Sequence, residues 1–257
     1  MTITSAKNPR IKWVRSLLAS SRARRDEGVF VVEGLRLLEE ALASGWRARL
    51  LLYTPELRER GQALLEGFAA QGAPVEAVPE HVLRAASDTE APQGMLAVLD
   101  WQPLPLPEKL DFVFIPDAVR DPGNLGTMLR TASAAGVQAA LLPPGTVDWL
   151  SPKVLRAGMG AHFHLPIQAL SWDEIAQRLH GLSIYLAAAG QGQAHTQTDW
   201  RAPLALVVGG EAAGAGPEAQ RLATSRVHIP MPGKAESLNA AIAAAILLFE
   251  VARQRGI

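Results

Sequence analysis

Apolar positions in this chain recur with two different periods, and the alternation between them sets out its elements. Spacings of three and four place Ile11, Val14, Leu17 and Leu18 on one face of a helix over residues 8–20. Short apolar runs at 29–32, 49–53, 75–78 and 94–99 read as strands, separated by helical patterns at 35–43, 56–71 and 81–87. Three prolines between Trp101 and Pro107 then forbid helix and favour an extended linker. The chain therefore divides into a first domain at 1–100, a linker at 101–109 and a second domain at 110–257. In the second domain, strands are expected at 112–115, 139–142, 162–166, 184–188, 204–208 and 227–229. Helices are expected at 124–135, 153–159, 172–179 and 237–253. Both domains are α/β. The second has the alternation of a mostly parallel sheet, on which ligands sit beyond the carboxyl ends of the strands.

Composition narrows the chemistry. Hydrophobic residues at 48% and charged residues at 19% place the chain with globular proteins. The absence of cysteine removes disulfides, thiolate nucleophiles, iron–sulfur clusters and thiolate zinc sites. No signal-like core follows Met1 and no apolar stretch is long enough to span a bilayer, so a cytoplasmic location is expected. The net charge of +0 conceals an asymmetry. Ahead of the first acid, Asp26, stand Lys7, Arg10, Lys12, Arg15, Arg22, Arg24 and Arg25. A basic arm unopposed by acids suits nucleic-acid phosphate; the alternative is a solvated helix face. His162 and His164 alternate along an expected strand, but no acid or cysteine cluster accompanies them, so no metal site is expected.

Three loops after expected strands carry candidate chemistry. The first runs from Asp117 through Pro122-Gly123 to Asn124, read as a helix N-cap, with Arg130 farther along a helix of small and apolar residues. A charge on such a helix needs a partner or a purpose, and a buried arginine paired to a carboxylate is the alternative reading. The second loop, Gly209-Gly-Glu-Ala-Ala-Gly214, presents Glu211 between glycines that permit close backbone approach. The third runs through Ile229-Pro-Met-Pro-Gly233 to Ser237-Leu-Asn239, with Ser237 read as N-cap of an uncharged terminal helix.

Taken in order, these segments resemble the three motifs of the SpoU (TrmH-type) ribose 2′-O-methyltransferases of the SPOUT superfamily. Asn124 and Arg130 match the first motif, Gly209, Gly210 and Glu211 the second, and residues 229–239 the third. Gly210 stands where asparagine is common, and Ala240 and Ala241 stand where valine and serine are common, which implies altered packing. The first half resembles the L30e-like RNA-binding domain of the same family through Ser5 to Asn8, Phe30-Val-Val-Glu-Gly34 and Ser87-Asp-Thr-Glu-Ala-Pro-Gln-Gly94.

The resemblance implies S-adenosylmethionine as methyl donor and a trefoil knot in the last third of the chain. It implies that backbone around Leu186, Gly209, Gly210, Ile229, Met231 and Leu238 cradles the donor. It also implies a homodimer built on the terminal helix, whose site can draw its arginine from the other subunit. Arg130 is the family's proposed base. A guanidinium stays protonated, however, so phosphate binding and stabilisation of charge on the 2′-oxygen suit it better. Glu211, or a water it orders, is the alternative base, while Asn124, Ser237 and Asn239 orient. Large-subunit (23S) ribosomal RNA is the first expectation for substrate and tRNA the second. The competing class is a non-catalytic RNA-binding ribosome-assembly factor. A nucleotide-dependent oxidoreductase would need a glycine fingerprint opening an early βαβ unit, and this chain has none.

Overall fold

The computed structural model describes residues 2–210 and 214–256. In chain order its elements begin with α1 (Pro9–Ala19), α2 (Ser21–Glu27), β1 (Val29–Glu33), α3 (Leu35–Ala43) and β2 (Ala48–Tyr53). They continue with α4 (Glu59–Ala70), β3 (Val75–Ala77), α5 (Glu80–Ala85), β4 (Met95–Asp100), β5 (Phe112–Asp117), α6 (Pro122–Ala134) and β6 (Ala139–Leu142). Next come α7 (Pro152–Gly158), β7 (Ile167–Ala169), α8 (Trp172–Arg178), β8 (Ser183–Ala187) and β9 (Gln193–Ala194). The last are β10 (Leu204–Gly209), α9 (Pro217–Leu222), β11 (Ser225–His228) and α10 (Ala240–Arg255).

The chain forms two compact units, one of residues 1–102 with 148–163 and one of 103–147 with 164–257. In the first, four strands are ordered β1-β4-β2-β3, antiparallel except for the β2–β3 pair. Alternation along β1 explains its complete burial. Val29 and Val31 join Ile11, Val14 and Leu17 of α1 in one core cluster. Phe30 turns to the other face, where it meets Trp46 edge-on at 5.6 Å. Asn8 caps α1, and Gly28, in the left-handed conformation at φ 62°, ends α2.

Residues 148–163 complete this first unit, whereas the sequence boundary placed them in the second domain. Phe163 packs 5.5 Å from Trp46, and Trp149 lies 4.3 Å from Trp101. His162 is fully buried and stacks on Trp149, with its Nε2 2.8 Å from the Trp149 carbonyl. Burial pulls its pKa down to about 4, against smaller opposing effects of that carbonyl and of Asp148. The expected strand at 162–166 is instead a 3₁₀ turn, Ala161–Phe163, leading to β7. The two histidines therefore do not alternate along a strand.

The second unit is a seven-stranded parallel sheet ordered β7-β6-β5-β10-β8-β11-β9. Apolar runs such as Leu204 to Val208 are buried throughout, as strands covered on both faces require. Helix α10 packs against α6, and Ile175 of α8, its C-cap Leu179 and Ala219 of α9 join a core cluster with β5, β6, β8 and β10. Among the described residues no helix is long and apolar enough to cross a membrane.

Candidate active site

The carboxyl ends of β8, β10 and β11 and the start of α10 enclose a cavity of about 1030 Å³. Its wall consists mainly of small apolar residues and exposed main chain. Of the residues expected around a donor, Gly209, Gly210, Ile229, Met231 and Leu238 line it. Leu186 does not; it points into the core cluster, and Ala187 to Gly190 form the wall instead. The polar side chains on the wall, among the described residues, are His228, Glu236, Ser237 and Asn239. Such a site holds its ligand chiefly by shape and main-chain groups.

The glycines are required by the close approach of three chain segments. A Cβ on Gly210 would stand 2.5 Å from the carbonyl oxygen of Ala118, and one on Gly209 would run into the backbone of Gly214 and Ala215. Ala118 itself is left-handed, at φ 52°. Asp117 is buried at the end of β5, with its Oδ2 accepting the Gly216 N–H at 2.6 Å. Burial raises its pKa, that hydrogen bond opposes the rise, and the charge of Glu218 adds to it.

Both expected helix caps shift by a few residues. Asp121, not Asn124, caps α6: its side chain accepts the Asn124 N–H at 2.7 Å, with Pro122 opening the helix. Asn239, not Ser237, caps α10, with its Oδ1 accepting from Ala241 at 2.9 Å and Ile242 at 3.2 Å. The same side chain donates through Nδ2 to Asn124 Oδ1 at 3.1 Å. The first and third motifs thus meet at the cavity rim. Ser237 is exposed on that rim, and Glu211 lies outside the described residues.

Arg130 is exposed on α6, without an ion pair among the described residues, which excludes the buried, paired alternative. The basic arm behaves differently. Arg24 is buried; it binds Asp148 at 2.5 Å and the carbonyls of Leu17 and Leu18. Arg10 pairs with Glu76 and Arg22 with Asp26. Arg10 and Arg24 are therefore opposed by acids distant in sequence, and Arg22 by one four residues on. Lys7, Lys12, Arg15 and Arg25 remain exposed without ion pairs among the described residues.

Comparison with known proteins agrees with this geometry. Residues 111–249 match the SpoU rRNA Methylase family, and residues 8–97 match an MRM3-like substrate binding domain. The chain is 34% identical over 252 residues to the 23S rRNA (guanosine(2553)-2′-O)-methyltransferase RlmP of Bacillus subtilis, covering 97% of this chain and 98% of that one. It is 31% identical to the 23S rRNA (uridine(2479)-2′-O)-methyltransferase of Streptomyces viridochromogenes, covering 98% and 92%. The AdoMet-bound rRNA methyltransferase of Sinorhizobium meliloti superposes with a TM-score of 0.88 at 31% identity, over 98% of this chain and 97% of that one. The chain belongs to the SpoU rRNA methylase family. It is accordingly an S-adenosylmethionine-dependent RNA 2′-O-methyltransferase, as its motifs imply.

Three residues of this SpoU methylase escape sequence reasoning. Asp121 carried a usable signal, because an acid directly before a proline is a helix-start signature. His228, the last residue of β11, stands in the cavity wall beside Val227 and Ile229. Asp117 had no local signal, since its partner Gly216 lies 99 residues away.

Proposed function

We propose that this SpoU methylase modifies a ribose 2′-hydroxyl of large-subunit ribosomal RNA, with Arg130, Glu211, Asn124, Ser237 and Asn239 at the reacting end of its cavity. The observation that carries the assignment is the Asn124–Asn239 hydrogen bond, which joins the first and third motifs on the cavity rim. The cavity suits S-adenosylmethionine: it is ample for a nucleoside with an amino-acid tail, and Gly209 and Gly210 present main chain to it while packed against neighbouring backbone that leaves no room for a Cβ. Gly209, Gly210, Ile229, Met231 and Leu238 would hold the donor. When bound, it supplies an electrophilic methyl group.

The protein's part is positioning and charge. Exposed and without an ion pair, Arg130 is suited to grip an RNA phosphate and stabilise the negative charge that grows on the 2′-oxygen. Glu211, directly or through water, takes the hydroxyl proton. The capping role of Asn239 fixes its side chain, so its amide and that of Asn124 orient neighbouring groups at little entropic cost. Lys7, Lys12, Arg15 and Arg25 supply phosphate contacts in the first unit. Relatives matched end to end act on 23S rRNA, which favours that substrate over tRNA and implies a cytoplasmic enzyme.

A homodimer and a trefoil knot belong to the same proposal. Ile242 and Phe249 of α10 are 52% and 51% exposed, an apolar face on a helix whose other face is buried. The insertion of β10 between β5 and β8 supports a threaded chain end. Labelled methyl transfer to ribosomal RNA, followed by mapping of the 2′-O-methyl position, tests the activity. A 2′-deoxy nucleotide at the mapped position should abolish transfer. Calorimetry that finds no S-adenosylmethionine binding would instead favour a non-catalytic RNA-binding protein. Phe249→Glu should give a monomer by light scattering; a wild-type monomer would remove the dimer.

A further inference from the structure

Asp117 receives N–H groups from Gly210 and Gly216, two described residues that follow β10. Its Cα is the register partner of Gly209. Its backbone carbonyl accepts the Gly210 N–H at 2.9 Å, and its side-chain Oδ2 accepts the Gly216 N–H at 2.6 Å. Gly214 donates to the Gly210 carbonyl at 3.1 Å. The segment carrying Asp117 is itself held firmly. Val119, two residues on, is buried and its carbonyl accepts the Val147 N–H at 2.9 Å, and Thr146 Oγ1 donates to the Pro116 carbonyl at 3.0 Å.

A buried carboxylate at a strand end costs desolvation that an apolar residue would avoid, so its retention needs a compensating interaction. The bond to Gly216 is charge-assisted and among the strong ones. Gly209, Gly210 and Gly214, at or beside the positions it holds, line the cavity. We infer that Asp117 is a positioning residue for methyl transfer, its carbonyl and carboxylate holding Gly210 and Gly216 where the glycine wall of the cavity needs them to receive the donor. This rests on the function proposed above, and goes beyond it by assigning the placement of Gly210 and Gly216 to one residue outside the wall.

The test compares Asp117→Ala and Asp117→Asn with wild type, by calorimetric binding of S-adenosylmethionine well below each protein's melting temperature. Asp117→Ala should weaken binding about tenfold, or about 1.4 kcal/mol. Asp117→Asn, which keeps a carbonyl acceptor for the Gly216 N–H, should stay within a few-fold of wild type. Wild-type affinity in folded Asp117→Ala would overturn the inference. So would an Asp117→Asn variant as weak as Asp117→Ala, or lower melting temperatures with unchanged affinity. A wild-type protein that binds no S-adenosylmethionine would instead defeat the proposed function itself, so the two failures are distinguishable.

Discussion

Helices α1 and α2 and helix α6 both present arginine, and they treat it in opposite ways. In the first unit Arg24, one of seven cations in an apparently unopposed arm, is buried against Asp148 and two main-chain carbonyls. In the second unit Arg130, the one charge on a helix of small and apolar residues, is exposed without an ion pair among the described residues. Each occupies the environment that local sequence suggested for the other. The difference teaches that the charge of neighbours along the chain is a poor guide to a cation's task. What matters is which carboxylates the fold brings near. Arg24 contributes stability, because a buried ion pair is destabilising to break. Arg130 keeps its hydrogen-bonding capacity for a ligand.

The largest expected effect tests the exposed member of the pair. Arg130→Ala should lower single-turnover methylation by about 10²–10³-fold, the loss typical of removing a group that stabilises transition-state charge. Affinity for S-adenosylmethionine should change only a few-fold. Near-normal turnover would leave the two arginines without a functional contrast.

Arg24→Ala should behave as a structural lesion. It leaves Asp148 and the Leu17 and Leu18 carbonyls without their partner, for a loss of about 3 kcal/mol in urea unfolding. Arg25→Ala, on the same helix but exposed, should stay within about 0.5 kcal/mol of wild type. Equal stability of the two variants would contradict the assignment of Arg24 to the core.

His162 sharpens the contrast, because the first unit conceals an ionisable ring as well as a guanidinium. Its folded pKa of about 4 lies below the ordinary 6.5, so between those values the unfolded chain binds a proton that the folded chain refuses. Its contribution is therefore complete above about 6.5 and declines as the pH falls towards about 4. Moving from about pH 7 to about pH 5 should cost wild type about 2 kcal/mol more than it costs His162→Phe. Parallel pH profiles for the two proteins would show that this ring does not drive acid sensitivity.

The smallest effect concerns the exposed cations of the arm. Replacing Lys7, Lys12, Arg15 and Arg25 together with alanine should reduce the slope of log affinity for RNA against log salt by about 3, at roughly 0.7–0.9 per lost phosphate contact. Arg22→Ala alone should change it little, since Asp26 already opposes that charge. An unchanged slope in the fourfold variant would make the arm a solvated surface.

Much of the second unit was legible in the chain. The apolar strand Leu204 to Val208 and the glycines after it stand as read, and five of the six residues named for the donor line the cavity. The side chain of Leu186 turns to the core by strand alternation, while the next residue, Ala187, reaches the wall. The caps were misassigned by a few residues, because asparagine and serine both suit the role and geometry alone selects the one that reaches the first N–H groups. The strand expected at 162–166 failed because a short apolar stretch with histidines also fits a buried turn.

What the sequence determined by itself were the properties set by neighbours in the chain. These are the alternation of strands and helices, the order of three motifs and the positions where only glycine fits. Periods of two and of three to four are local, and a motif is a local pattern of residue types. The tertiary structure alone decided the pairings across long separations. Arg24 meets Asp148 across 124 residues, and Asn239 meets Asn124 across 115. It also decided that residues 148–163 complete the first unit, filling its aromatic core with Trp149 and Phe163. Those contacts depend on which buried groups find partners once the sheets are assembled, and no local pattern encodes that choice.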